Sequence, residues 1–341
     1  MNVLVTGGAG YIGSHACDAL LNAGHEVTIL DNLSRGHAKA VEILRGRGAG
    51  RVRFIAGDMG DTKVLDQAFA HPVDAVMHFA AFANVGESAV HPERYYQNNV
   101  GAMVPLVDAL RRHRVSRIVY SSSCSVYGQP PDHLIPLQES APLGPMSAYG
   151  RTKLIGEQLL QDHVGAARAE GREVALTCLR YFNVAGSEPA GELGEDHDPE
   201  MHLVPVVLRT AMGLQHRLKL FGDDYPTPDG TCVRDYVHVC DIASAHVRSL
   251  DAVLPGTTAT LNLGLGRGIS NREIVEAARR VTGKPIDVDI APRRPGDPAR
   301  LFADTAQARS RLGWSPRFTE LEQIIETAWK WLAAHPRGYR G

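Results

Sequence analysis

The sequence predicts an α/β fold, a doubly wound parallel sheet joined to a smaller, loop-rich α/β unit. Three observations predict it. Short apolar runs alternate with helical patterns through the first half, a glycine-rich turn links the first run to the first helix, and long Gly/Pro loops interrupt the pattern beyond about residue 183. Strands that alternate with helices form βαβ units, and helices then cover both faces of the parallel sheet.

Taken in order, Val3–Val5, Val27–Leu30, Val52–Ile55, Ala75–Phe79 and Ile118–Tyr120 read as buried strands, with helical stretches at His15–Ala23 and Tyr95–Arg112. A long helical pattern, Ala148–Ala169, leads into a strand at Val174–Leu179. Beyond it, Ala185–Pro199, Asp223–Gly230 and Pro292–Pro298 read as loops, and Val204–Met212, Asp241–Leu250, Ile274–Val281 and Leu321–Leu332 as helices. The shift in pattern divides the chain into a first domain over 1–182 and a second over 183–341. Segments near 234–262 are expected to return to the first.

Composition narrows the function classes. At 341 residues the chain exceeds one average domain, about 150 residues, and chains of this size bury about 75% of their unfolded surface. Its 36 Lys+Arg against 38 Asp+Glu give a net charge of −2, which argues against a binder of nucleic-acid backbones. The hydrophobic fraction of 44% is that of a globular chain, and no apolar run reaches the ~18 residues of a membrane span. Met1–Gly7 reads as a strand and turn, without the basic and apolar regions of a secretory signal. The five cysteines, Cys17, Cys124, Cys178, Cys232 and Cys240, form no C-x-x-C pair. Free thiols in a reducing compartment, and a cytoplasmic location, are expected.

The first chemical signal is Gly7-Gly8-Ala9-Gly10-Tyr11-Ile12-Gly13. Its G-x-x-G-x-x-G spacing permits a tight turn and a close backbone approach to a pyrophosphate, with the N-terminus of the next helix aimed at the anion. Taken alone, the run also suits a ligand-free turn. Asp31, about 20 residues on and at the end of the second strand, adds a carboxylate for the ribose hydroxyls of NAD. That charge would repel the 2′-phosphate of NADP, for which Arg35 leaves slight room. A Rossmann-type domain that holds NAD follows.

The second signal is Tyr149-Gly150-Arg151-Thr152-Lys153. On a helix, i and i+4 share a face, so phenol and ammonium can address one site. Lowering the phenol's pKa of about 10 by about 3 units corresponds to about 4 kcal/mol, which a neighbouring Lys⁺ and a positive nicotinamide ring could supply. The bland alternative is a surface tyrosine beside an exposed Lys153–Glu157 pair. The third signal, Ser121-Ser122-Ser123-Cys124-Ser125, follows the strand Ile118–Tyr120, at the carboxyl edge where open α/β sheets hold ligands.

These motifs, in this order, resemble the extended short-chain dehydrogenase/reductase family over almost the whole chain, and within it the UDP-glucose 4-epimerases. The matching stretches are Val3–His15, Leu30–Leu33, His78–Ala80, Val85–Ser88, Tyr95–Val100, Ser121–Ser123, Tyr149–Lys153, Arg180–Asn183, Gly191–Asp196, Phe221–Tyr236 and Asn262–Gly264.

The resemblance implies NAD-dependent 4-epimerisation of a UDP-sugar, UDP-glucose/UDP-galactose first. It implies that Gly7, Gly10, Tyr11, Ile12 and Gly13 hold the pyrophosphate, and that Asp31, Asn32 and Ser34 line the adenosine ribose. Asp58 and Met59 would contact adenine, and Phe79, Ala80, Ala81, Asn98 and Phe182 other parts of the cofactor. Tyr149 would be the base and acid, Lys153 its electrostatic partner, Ser123 the hydroxyl at the sugar's 4-oxygen, and Ser125 its support. For the sugar nucleotide, the resemblance implies contacts from Asn183, His202 and Leu203, and uracil flanked by Leu220 and Phe221. Arg234 and Arg294 would pair with diphosphate, Asp297 with the uridine ribose, and Leu301 would wall the sugar pocket. A homodimer built on Tyr95–Arg112 and Ala148–Ala169 is also implied.

Two positions depart from the family pattern. Ala83 stands where a lysine commonly reaches the substrate, and Leu301 where a tyrosine is common. The first opens UDP-xylose/UDP-arabinose as an alternative pair, the second bears on N-acetylated sugars. A nucleotide-sugar 4,6-dehydratase shares the fold, but needs an acid/base pair where Cys124 and Ser125 stand. An NAD-binding sensor would not need Tyr149, Lys153 and Ser123, and a net alcohol dehydrogenase would need exchangeable cofactor. The histidines His15, His78, His238 and His246 lack H-x-x-x-H spacing, and no metal site is expected.

Overall fold

The computed structural model describes residues 1–294 and 297–340. Residues 295 and 296 of the Pro292–Pro298 loop therefore lie outside the described residues.

Seven parallel strands form the main sheet, in the order Thr258–Leu263, Ala175–Tyr181, Arg117–Ser123, Ala75–His78, Asn2–Thr6, Glu26–Asp31 and Val52–Ala56. Every residue of Ala75–His78 and Ala175–Tyr181 is buried, as expected where helices cover both faces of a parallel sheet. Leu20, Ile29 and Leu44 belong to the core on one face, Leu4, Leu106 and Leu176 to that on the other. The chain steps outward from Asn2–Thr6 to Val52–Ala56, then crosses to Ala75–His78 on the opposite side. That reversal opens a crevice at the carboxyl ends of the strands.

The second part of the chain contributes a separate core of Val207, Leu208, Ile274, Ile324, Ile325 and Trp331, beside small sheets that pair Leu218–Phe221 with Val288–Ala291, Asn183–Ala185 with Tyr236–His238, and Val233–Arg234 with Ile269–Ser270 and Arg300–Leu301. The strand Thr258–Leu263 runs back to the main sheet, with Leu261 opposite Leu179. Among the described residues no helix is long and apolar enough to cross a membrane.

Three elements differ from the sequence reading in ways that shape the site. The first helix is Tyr11–Asn22, not His15–Ala23, because Gly10 ends the glycine turn and the helix starts at once. Ser121, Ser122 and Ser123 are the last residues of their strand, where pairing to Leu179, Arg180 and Tyr181 keeps them extended. The stretch Tyr95–Arg112 is not one helix. A π-helical turn, Gln97–Gly101, separates Pro92–Tyr96 from Met103–Arg112. It turns Asn99 inward, where the side chain accepts from Phe82 N at 2.8 Å and donates to Phe82 O and Thr152 Oγ1, both at 3.0 Å. Such single π turns recur where a buried polar contact outweighs helix regularity.

Candidate active site

The residues singled out from the sequence all line one cleft of about 1280 Å³. At its glycine turn, Gly7 has φ +74°, and a Cβ there would lie 2.5 Å from Ala80 N. A Cβ on Gly13 would lie 2.2 Å from Gly7 O, so the turn can be this tight only without side chains. Gly10 is the N-cap of Tyr11–Asn22 and provides no side-chain cap. The helix's first N–H groups are thus left for an anion, as a pyrophosphate requires. Tyr11 turns away from this point, its hydroxyl donating to Gly186 O at 2.6 Å.

Asp31 is buried, and its carboxylate accepts Leu33 N at 2.8 Å on one oxygen and Ala9 N at 3.0 Å on the other. Burial raises its pKa, while the two amides pull the other way. Each oxygen keeps a lone pair for a ribose hydroxyl. Asn32 donates to Asp58 at 2.8 Å and accepts Ser34 N at 3.0 Å, joining three of the predicted nucleoside contacts. Met59 is buried nearby in sequence, and the ring of Phe79 packs on His246 at 4.6 Å. Asn98 bonds Asn99 at 2.8 Å. Arg35, the residue with room for NADP, is engaged elsewhere, by Glu87 at 2.8 Å and Asp198 O at 2.9 Å. Glycine cradle, uncapped helix and buried carboxylate together fit NAD.

Ser123 and Tyr149 come from a strand and a helix that meet in the cleft. Ser147 caps the helix Ala148–Ala169 by accepting Gly150 N at 3.0 Å, which sets Tyr149 in its first turn. A Cβ on Gly150 would lie 2.6 Å from Ser125 O, so glycine lets the helix start lie against the serine loop. Ser123 accepts Ser125 N and bonds Ser125 Oγ, both at 3.1 Å. Lys153 is buried, its Nζ donating to Ser121 O at 2.8 Å and lying 5.9 Å from the Tyr149 ring centroid.

Burial dominates the titration of this pair. In the protein's own field, burial pushes the Tyr149 phenol up to about 12, with Ser123 pulling against it, and brings Lys153 down to about 7. Burial penalises both charged forms and is the largest cause of each shift. A positively charged cofactor ring acts in the other direction and favours phenolate. The exposed Lys153–Glu157 pair is corrected, since both residues are buried. Glu157 instead binds Arg180 and the hydroxyl of Ser122.

The residues expected at the sugar nucleotide sit on the second part of the chain and its junction with the first. Asn183 N donates to Asp235 O at 2.9 Å. His202 precedes the helix Leu203–Ala211, and its Nδ1 lies 2.5 Å from Glu195. Leu220 is buried, and the Arg294 guanidinium lies over the Phe221 ring, 3.9 Å from its centroid. Arg234 and Asp297, expected at different parts of the nucleotide, form an ion pair with each other. Leu301 is buried, in the strand Arg300–Leu301.

Several cleft residues escaped the sequence reading, among them Tyr181, Met146, Lys219, His197 and Glu200. Tyr181 bonds the Ser121 hydroxyl across paired strands, and its only sequence signal was a place one residue before Phe182. His197 and Glu200 lie in a loop with no periodicity to flag them.

Residues 3–264 match the family described as NAD dependent epimerase/dehydratase. The chain belongs to this family. It is 46% identical over 341 residues to a UDP-glucose 4-epimerase of Halalkalibacterium halodurans, covering 99% of this chain and 98% of the relative. To a probable UDP-arabinose 4-epimerase of Arabidopsis thaliana it is 44% identical, over 99% of this chain and 82% of that one. A UDP-glucose-4-epimerase crystal structure from Stenotrophomonas maltophila, with bound NAD and formylated UDP-arabinopyranose, superposes with TM-score 0.92 at 42% identity, covering 99% of both chains. This member of the family is thus a Rossmann-type isomerase of the epimerase class, and its cofactor is NAD.

Proposed function

We propose that the protein epimerises carbon 4 of a UDP-sugar, the UDP-glucose/UDP-galactose pair first, with Tyr149, Ser123 and Lys153 carrying the chemistry. The observation that supports this is a single cleft lined by the glycine turn, Asp31, Tyr149, Ser123, Lys153, Arg234 and Phe221. One cleft lets a sugar carbon and a nicotinamide ring share a site.

Tyr149 as phenolate takes the proton of the sugar's 4-hydroxyl. NAD, held by the glycine turn and Asp31, would supply a hydride acceptor and donor for carbon 4. The Ser123 hydroxyl bonds the 4-oxygen in alcohol and ketone alike. Lys153, held by Ser121 O, favours the phenolate form of Tyr149. The 4-keto sugar turns over, and Tyr149 gives the proton back to the 4-oxygen as the opposite face is reduced. Electrons balance within one cycle, so no net oxidant is consumed. Arg234 and Arg294 hold the diphosphate, whose planar guanidinium contacts suit two oxygens at once. Asp297 serves the uridine ribose and Phe221 the uracil. In this reading residues 1–182 serve the cofactor and 183–341 the sugar nucleotide.

A homodimer and a cytoplasmic setting complete the proposal. Tyr96 and Val104, exposed at 36% and 54% on the Pro92–Tyr96 and Met103–Arg112 helices, support an apolar contact there. A second reading, the UDP-pentose pair, is favoured by Ala83, which lines the cleft without a cation, and by the UDP-arabinose 4-epimerase relative.

The test incubates purified protein separately with UDP-galactose, UDP-N-acetylgalactosamine and UDP-xylose, without added reductant, and separates products by ion exchange. Formation of UDP-glucose from UDP-galactose is expected. Turnover of UDP-xylose alone would establish the pentose reading, and no turnover even with added NAD would refute epimerisation.

A further inference from the structure

The segment 195–202 brings together four side chains that the epimerase chemistry does not use as a group. Glu195, His197, Glu200 and His202 each offer one potential ligand atom, and these atoms all lie within 4.8 Å of one another. Both imidazoles present Nδ1 to the same carboxylate oxygen, Glu195 Oε1, at 3.2 Å from His197 and 2.5 Å from His202. Glu200 lies 3.6 Å from His197 Nδ1 and 3.9 Å from His202 Nδ1. Ligand bonds of about 2.0–2.1 Å in a tetrahedron set the ligand atoms roughly 3.4 Å apart. Small side-chain rotations therefore close the set.

We infer that Glu195, His197, Glu200 and His202 form a binding site for one divalent transition-metal ion. Two imidazole nitrogens and two carboxylates are the donor set of Zn²⁺ or Co²⁺, whereas Mg²⁺ and Ca²⁺ require six or more oxygens. Charge also matches. Two carboxylates facing two imidazoles are neutral overall when both rings carry a proton, and one divalent ion replaces those two protons with the net charge unchanged.

The backbone beneath the ligands is held from outside, as ligand-orienting shells require. Asp196, between the first two ligands, accepts Tyr339 N at 2.9 Å, and its carbonyl lies 2.8 Å from His37 Nε2. Glu200 Oε1 lies 2.8 Å from Met201 N and 2.9 Å from His202 N. The His197 ring packs edge-on to Tyr11 at 6.2 Å, beside the glycine turn.

The test uses untagged, chelator-stripped protein titrated with Co²⁺ at neutral pH and followed by visible absorption, then with Zn²⁺ in competition. One Co²⁺ per chain with a low-coordinate spectrum, displaced by Zn²⁺, is expected. Affinity falls at least tenfold in His197→Ala and in Glu195→Gln, and at least tenfold in the wild type from pH 8 to pH 6, because the ion must displace protons. The wild-type titration decides the matter even where a variant folds poorly. No saturable uptake overturns the site, as does uptake that survives His197→Ala/His202→Ala or shows the intense charge-transfer bands of thiolate ligation.

Discussion

Arg180 and Glu157 meet in a two-pronged ion pair, Nε to Oε1 at 2.9 Å and Nη2 to Oε2 at 2.6 Å, with side chains only 5% and 1% exposed. Glu157 lies on the helix Ala148–Ala169 one turn after Lys153, Arg180 on the neighbouring strand, and the Ser122 hydroxyl also bonds Glu157. The pair therefore fixes how Tyr149 and Lys153 face the serine strand. Glu157→Gln leaves a buried guanidinium without its counter-charge and should cost about 3–5 kcal/mol of stability. Urea denaturation measures it, and a loss below about 1 kcal/mol would contradict the buried-pair assignment. The double change Glu157→Leu/Arg180→Met should cost less than the sum of the single ones.

Tyr149→Phe keeps the ring's packing and removes only the hydroxyl. Turnover should fall about 10²–10⁴-fold, the usual contribution of a positioned acid/base group. Binding of a UDP-sugar, followed calorimetrically, should stay within a few-fold of wild type. Wild-type turnover in this variant would remove Tyr149 from the mechanism.

Much of this site was legible because its residues follow strand ends, and strand ends are marked by apolar runs. Gly7 and Asp31 were each found that way, beyond or at the end of a run, whereas Phe79 and the choice of Ser123 came from the family resemblance. The strand Thr258–Leu263 was harder, since its start is exposed at the sheet edge and mixes threonines with apolar residues. The π turn at Gln97–Gly101 left no periodic trace, because Asn99 faces inward for hydrogen bonds rather than for apolar burial. Tertiary pairing was invisible too. Arg234 and Asp297 are 63 positions apart in sequence, and nothing local shows that they bind each other.

Acid should destabilise the fold through buried histidines. Burial lowers His78 to about 3, helped by Lys153, and lowers His246 to about 4 against the pull of Ile242 O. An unfolded histidine titrates near 6.5, so above that pH neither state gains a proton. Below it the unfolded chain takes up protons that the folded one refuses, and stability falls from about pH 6.5 towards pH 4. Among the described residues His246 Nε2 has no hydrogen-bond partner, and the ring packs on Phe79. His246→Phe should therefore remove about 2 kcal/mol of the stability difference between pH 7 and pH 5. Urea midpoints at both pH values give that difference, and an unchanged difference would place the acid sensitivity elsewhere.

Asp31 is the remaining lever, because its carboxylate shapes the glycine turn through Ala9 N and, in the proposed function, accepts from the adenosine ribose. Asp31→Asn keeps the size and one acceptor oxygen but loses the charge. Hydrogen bonds to a charged group contribute about 1.5–3 kcal/mol, so NAD affinity should weaken about 10–100-fold. Cofactor content after gel filtration and the Kd of re-added NAD read this directly. Discrimination against NADP should narrow in the same variant, since the carboxylate that repels a 2′-phosphate is gone. It should not invert, because Arg35 is held by Glu87 and supplies no free cation. Unchanged affinity for NAD in Asp31→Asn would mean that the ribose is held by other groups of the turn.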